Sequence, residues 1–455
     1  MGKSRYAWGA LLALGLVYLS CGSAPGRTDT DPLAVAVDAS GGRADGRAAT
    51  IGQKHPTPPP ERPAPAPLAP FVEKGLDWLA GAQQDDGGWG AGSSSRQDIR
   101  DAHAVPTDPA TTAVAAMALL RAGNGLRRGD FATTLQKAND YLLRTVEAAP
   151  ADGPRITDLT GTQPQAKMGQ NVDTALTAQF FARLLQEQDL DAALRPRVTA
   201  ALDKCLRKIE SSQGQDGSWA AGGWAPVLQS AQMSTALELG RLAGRTIDAD
   251  KLDLARDYQR QQVVGSTAVP GDAGATPAAT FTVRADAAAG VSLYASAANQ
   301  RGVVAEAKQA EELVETAKRE GRLDKDAKVE ASTLERLGVD APRAEAMAQS
   351  VAMNTAAKTR AFDENLLQGF GNNGGEEFLS YQMKSESLVI DGGEQWAKWS
   401  AKMHERLAKV QNQDGSWSGH HCITSPAFCT ATALSCLTAD RDVAWLTRDQ
   451  KLAAK

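Results

Sequence analysis

Three observations predict an all-α chain assembled from helix pairs. The first is a sixteen-residue phrase that occurs three times: KGLDWLAGAQQDDGGW from Lys74, KCLRKIESSQGQDGSW from Lys204 and KMHERLAKVQNQDGSW from Lys402. The second is an almost charge-free segment after each copy, opened by Pro109, Pro226 or Pro426, with Glu238 as the exception. The third is the lack of the β-branched alternation that would signal strands.

Each phrase reads as an outer helix and its stop. The copies agree at the leading Lys, at Leu79/Ile209/Leu407, at Gln83/Gln213/Gln411 and at an Asp-Gly-x-Trp that ends on Trp89, Trp219 or Trp417. Good helix formers precede the Gln, and the shared aliphatic lies four residues before it, on the same face. Gly after Asp supplies the positive φ that ends the helix, and the Trp folds back over that end. The segment behind each Pro reads as a buried inner helix, because Pro suits a helix start and charge is nearly absent. Degenerate units lie between the copies: Phe131 to Val146 and Lys251 to Val264 as outer helices, Asn171 to Gln188, Arg284 to Gln300 and Gly375 to Ile390 as inner ones. Val303 to Arg319 and Arg343 to Leu367 are charged, Ala-rich helical stretches, one of them an insertion within 300–345.

The Lys-Gly-x-x-Trp-Leu-x-x-x-Gln-x-x-Asp-Gly-x-Trp pattern from Lys74 to Trp89 closely resembles the repeat of squalene and oxidosqualene cyclases. More loosely it is similar to the repeats of protein prenyltransferase β subunits and of complement-like thioester domains. The resemblance implies an α/α toroid of about five to six helix pairs, apolar inner helices ringed by amphipathic outer ones around a central cavity, over residues 71–446 with a tail at 447–455. The phrase Gln and Trp are expected to staple neighbouring helices rather than touch substrate.

Ahead of that domain, Lys3 and Arg5 precede an apolar run from Tyr6 to Leu19, which reads as a secretory signal over 1–20. Cys21 after Leu-Ser resembles a bacterial lipoprotein cleavage site, which implies lipidation of Cys21. Residues 21–70 are rich in Ala, Gly, Asp and Pro and cannot bury a core, so they read as a disordered tether. The expected location is the bacterial cell envelope, lipid-anchored at the outer membrane or periplasmic face. A net charge of -5 with both signs interspersed argues against nucleic acid as a partner.

Chemistry is expected where inner helices begin, since those ends surround one mouth of a ring and helix N-termini attract anions. The candidates there include Thr111 and Thr112, Asn171 and Asp173, Ser230 and Gln232, Arg284 and Asp286, Glu376 and Glu377, and Cys429 and Thr430; of these Thr112, Asp173, Gln232, Asp286 and Thr430 are expected to line the cavity. Helix capping is the alternative role for such residues. The densest cluster is GHHCITSPAFCT, Gly419 to Thr430. His420, His421, Cys422 and Cys429 suit zinc, while Cys422 and Cys429 also suit a disulfide in an oxidising compartment, the favoured reading. The resemblance to prenyltransferases implies a zinc-ligand His near the position of Cys429, where this chain has Cys. Glu376, Glu377 and His421 form a candidate acid–base group.

The family's own chemistry is missing from its positions. There is no Asp-x-Asp-Asp acid, no Asp-Asp-x-x-Asp, and Gly374-Gly375-Glu376-Glu377 lacks the reactive Cys of a thioester. Aromatic content is 5%, too low for a cavity lined to stabilise carbocations. Two readings follow: a binding or scaffold protein whose concave cavity takes a lipid, glycan or envelope-protein partner, or a metal-dependent transferase or hydrolase with its site at 420–429.

Overall fold

A computed structural model of the chain describes residues 67–220, 222–268, 279–283, 288–371 and 373–447. The expected signal, Cys21, all but the end of the tether, Arg284, Asp286 and the tail beyond 447 lie outside the described residues. The helices are α1 (Pro70–Gly81), α2 (Pro109–Arg121), α3 (Ala132–Ala148), α4 (Gln163–Lys167), α5 (Val172–Leu184), α6 (Arg195–Ser211), α7 (Pro226–Leu242) and α8 (Ala249–Gln261). A hairpin follows, β1 (Val263–Ala268) antiparallel to β2 (Ala279–Val283), with an irregularity between Val264 and Ser266. Then come α9 (Ser292–Arg319), α10 (Ala331–Arg336), α11 (Ala341–Thr359), α12 (Glu364–Leu367), α13 (Gly375–Asp391), α14 (Glu394–Lys409), α15 (Pro426–Leu437) and α16 (Val443–Leu446). Among the described residues this hairpin is the only sheet, and the other regular elements are helices.

Six helices close an inner ring in the order α2, α5, α7, α9, α13, α15, with α15 packing back on α2. Neighbours run in the same direction, because their starts meet: Ala110 N–H donates to Asp173 Oδ1 at 3.1 Å, Asn171 N–H to Gln229 Oε1 at 2.9 Å and Gly375 N–H to the Ile423 carbonyl at 2.9 Å. Outside them α3 packs on α2, α6 on α5, α8 on α7, α11 on α9, α14 on α13, and α1 on α15. α9 runs unbroken through both the expected inner helix and the charged stretch behind it. Its second half joins α10 and α11 in a small separate core of Ala310, Val314, Leu334, Ala344 and Met347.

The phrase builds the same joint three times. Gln83, Gln213 and Gln411 each donate from Nε2 to the carbonyl of their own loop glycine, Gly87, Gly217 or Gly415, and to a carbonyl of the next outer helix, Thr134, Lys251 or Phe71, at 2.8–3.1 Å. Each Trp indole N–H returns to the shared aliphatic's carbonyl, Leu79, Ile209 or Leu407, at 2.8–2.9 Å. Gly217 shows why that glycine is needed twice: its φ is +84°, and a Cβ there would sit 2.1 Å from the Leu254 carbonyl oxygen of α8. The third joint lands on α1, so it seals the ring.

The inner helices are less apolar than their sequences suggest. Arg121 (α2), Arg183 (α5), Glu238 (α7) and Glu386 (α13), in the C-terminal halves of their helices, join Arg301 from the first half of α9 and Asp442, which follows α15, in one ionic lattice. Arg121 bridges Glu386 at 2.6 Å and Asp442 at 2.8 Å; Arg301 bridges Glu386 at 2.9 Å and Glu238 at 3.4 Å. Burial alone would raise the Glu386 carboxyl, but Arg121 and Arg301 outweigh it and hold it at about 2. The turn carrying Asp442 and α16 pack on α2, α7 and α13, so the chain corks this end of its own ring. Higher up, Gln179 donates to Gln232 Oε1 at 2.8 Å and Lys384 to Ser296 Oγ at 3.2 Å, so polar side chains also join neighbouring inner helices deep in the ring.

Candidate functional site

Several expected cavity residues are joints instead. Thr112, Ser230 and Thr430 each accept the backbone N–H of a phrase Trp, Trp89, Trp219 or Trp417, at 2.9–3.0 Å. These hydroxyls are buried between loop and helix, which corrects the assignment of Thr112 and Thr430 to a cavity wall. Asp173 is fully used between α4, α5 and α2: it accepts Gln165 Nε2 at 2.8 Å as well as Ala110 N–H. Asp108, unmarked by the sequence reading, caps α2 by accepting Thr111 N–H at 2.7 Å and also takes Ala91 N–H at 2.7 Å. Burial, then the charge of Asp173, raises its carboxyl to about 7. Gln232 is committed to Gln179.

The start of α13 is different. Gly374 and Gly375 bring the chain against the loop before α15 so closely that a Cβ on Gly375 would lie 2.6 Å from Ile423, and one on Gly374 2.9 Å from the His421 ring. That approach puts one ligand atom each of Glu376, His421 and Cys422 within 4.8 Å of one another. Glu376 is fully buried; its Oε2 accepts Ile423 N–H at 3.2 Å, and its Oε1 has no hydrogen-bond partner. Burial first, and then the charge of Glu377, raises the Glu376 carboxyl to about 7. The Cys422 thiol is pushed to about 12 by burial and by Glu376. Cys422 holds φ at +58°, a left-handed backbone unusual for a residue with a Cβ, and this turn aims the thiol at the carboxyl.

Glu377 acts as the support of this group. Its Oε1 accepts the Tyr294 hydroxyl at 2.5 Å and Phe370 N–H at 3.0 Å; its Oε2 accepts Gly374 N–H at 2.9 Å and lies 3.6 Å from His421 Nε2. Arg100 braces the second loop by donating to the carbonyls of Gly419 and Thr424, both at 2.6 Å, and Gln163 Oε1 accepts Thr424 N–H at 2.7 Å. Over the top, Phe370 stacks against His421 at 5.1 Å and against Trp224 at 5.6 Å. Phe370 is 54% exposed and Trp224 42%, in a protein whose other aromatics are mostly buried.

The remaining candidates of the loop fall outside the group. His420 is exposed, and its backbone N–H pairs with the Asn373 carbonyl at 2.8 Å. Cys429 is buried on α15 with its thiol toward the Ile423 carbonyl at 3.5 Å, and burial pushes it well above the ordinary thiol range. Cys422 and Cys429 are both free thiols, so the expected disulfide is corrected: one thiol faces Glu376, the other a backbone carbonyl.

A family model, the squalene-hopene cyclase C-terminal domain, matches residues 64–154, the stretch that holds the first phrase with α1, α2 and α3. Together with the closed double ring, that match supports a terpenoid cyclase-like α/α-toroid fold. No curated protein matches the chain. The toroid has a carboxylate, an imidazole and a thiol converging at the start of an inner helix, a donor set that suits zinc. Around a tetrahedral zinc such atoms sit roughly 3.3–3.6 Å apart, so the group would need to contract by no more than about 1.5 Å. The fit is good, since the buried Glu376 Oε1 is an acceptor without a donor. Among the described residues no helix is long and apolar enough to cross a membrane.

Proposed function

We propose that this toroid is a metal-dependent transferase or hydrolase of the bacterial cell envelope, anchored by lipid on Cys21 and spaced from the membrane by the tether at 21–70. One observation carries the reading: the unpartnered Oε1 of a wholly buried Glu376 lies beside His421 and Cys422. Burying a polar atom without a partner is costly, and such atoms cluster where a ligand completes them. Glu376, His421 and Cys422 would hold zinc, leaving its fourth position for water or substrate. When bound, zinc would supply an acidified water and a polarised substrate oxygen. Glu377 positions His421 and ties down the Phe370 loop; Phe370 and Trp224 shield the group from water and offer an apolar face to substrate.

The test is metal content by mass spectrometry of the full chain carrying Cys21→Ser, prepared without chelators. About one zinc per chain, lost in Glu376→Gln and in Cys422→Ala with unchanged circular dichroism, supports the reading. Absence of zinc in the parent, or retention in both variants, sinks it. A second reading, a non-enzymatic scaffold for a lipid, glycan or envelope protein, is favoured by the exposed Trp224–Phe370 pair alone. It predicts that Trp224→Ala abolishes partner capture while Cys422→Ala leaves it intact.

A further inference from the structure

The corked end of the ring holds a cavity of about 460 Å³ between α7, α8 and α9, with one wall from α16. Its apolar lining includes Leu242, Ile247, Leu252 and Leu446, and three guanidinium groups line it as well: Arg241, Arg256 and Arg343. The acids nearby are already committed. Glu238 belongs to the Arg301 lattice, Glu306 pairs with Arg343 at 3.0 Å, and the carboxylate of Asp253 is shared, its Oδ1 accepting from Arg256 Nη1 at 2.9 Å and from Arg343 Nη1 at 2.9 Å. Arg256 is 7% exposed, and its Nε–H is buried with no acceptor. A guanidinium presents its donors in a fixed fork, so one buried donor left over beside an open volume points to an acceptor that the protein does not itself supply.

We infer that this cavity binds a single-chain amphiphile with an anionic headgroup, carboxylate or phosphate, the headgroup on Arg256 and Arg343 and the chain along Leu242, Ile247, Leu252 and Leu446. The volume lies within the roughly 300–1,000 Å³ of small-molecule pockets, and the lining has their usual composition, apolar walls with a few convergent polar groups. The unmet donor selects the headgroup: the buried Arg256 Nε–H lacks an acceptor, and a guanidinium pairs most strongly with an anionic one in a desolvated site. The site is at the opposite end of the ring from His421 and does not depend on a metal there.

The full chain carrying Cys21→Ser is titrated calorimetrically with dodecanoate, dodecyl phosphate and dodecanol, each below its aggregation concentration. Both anions are expected to bind, with dodecanol at least about tenfold weaker, since the charge-assisted bond is what it lacks. Whichever anion binds more tightly names the headgroup; equal binding leaves the shared anionic chemistry as stated. Arg256→Met should weaken both anions by about tenfold and leave dodecanol unchanged. Ala305→Phe, which fills the cavity from a half-buried position on α9 while all three arginines are retained, should remove binding of all three. Equal affinity for dodecanol and dodecanoate, no binding of either anion, or binding that survives Ala305→Phe overturns the proposal.

Discussion

The loop after α6 and the loop before α13 both deliver polar residues to the start of an inner helix, and they use them in opposite ways. At the first, the donors of Gln213 and Trp219 meet acceptors in their own unit or the next, and Ser230 takes the last backbone N–H. At the second, Glu377 is saturated while Glu376 keeps one buried oxygen without a donor and faces a thiol and an imidazole. Satisfied donors mark the repeated joint as architecture; Gln213 Oε1 is also buried without a partner, but no thiol or imidazole is gathered beside it as at Glu376. Among the described residues, the incomplete set at α13 is the inner-helix start where three metal-ligating side chains converge.

The comparison breaks most visibly if the joints are opened. Trp417→Ala should cost about 3–5 kcal/mol in urea denaturation, as a buried aromatic that also seals the ring onto α1. Next comes a difference that only the α13 start should show. The raised carboxyl of Glu376 lies near 7 against an ordinary 4.5, so the folded state holds its proton more tightly than the unfolded state does. In metal-free protein that stabilisation is complete below about 4.5 and is lost as pH rises through about 7. The parent should therefore lose, over that window, on the order of 3 kcal/mol more than Glu376→Gln does, read as the difference between their unfolding free energies. No extra loss in the parent would mean that Glu376 titrates normally.

Smaller effects sharpen the same contrast. Gly217→Ala should destabilise by about 2 kcal/mol, combining a positive φ with the approach to the Leu254 carbonyl. Gln411→Ala should cost about 1–2 kcal/mol by thermal or chemical unfolding, because two backbone carbonyls lose their donor. Phe370→Ala should change stability by less than about 0.5 kcal/mol, as expected for an exposed side chain, while speeding zinc exchange measured with a chromophoric chelator. Unchanged exchange would remove the lid from the account of the site.

Much of the ring was legible because its joints are local: a helix former, a Gln, an Asp-Gly turn and a Trp lie within sixteen residues. Glu376, His421 and Cys422 were legible as residue types able to bind metal, though not which of the neighbouring His420 and Cys429 would join them; a one-residue change in a tight loop decides that. What escaped was everything that depends on packing between units. Arg121, Arg183 and Arg301 look like ordinary cations toward helix ends, and only the closed ring shows them buried against Glu386, Asp442 and Glu238. Gly302 reads as a break between two helices, yet it is the point where α9 passes Gln259 of α8, with 2.7 Å left for a Cβ. The hairpin escaped because its two strands are short. Phe370 and Trp224 carried one faint signal, aromatics set among glycines in loops.

The joint between the last phrase and α1 sets the order in which the chain can reach this structure. Gln411 donates to the carbonyl of Phe71, 340 positions earlier, and Lys74 returns a bond to the carbonyl of Gln413. Neighbouring units can pair as they are synthesised, since their contacts span short stretches of chain, but contacts of such separation form late and slow the overall rate. Until α14 and α15 are made, the flanks of α1 and α2 that they cover remain an open apolar seam, the kind of surface on which growing chains associate wrongly. The folding of this ring is therefore gated by its final quarter, and a nascent chain stalled before Trp417 is an arc with two sticky ends.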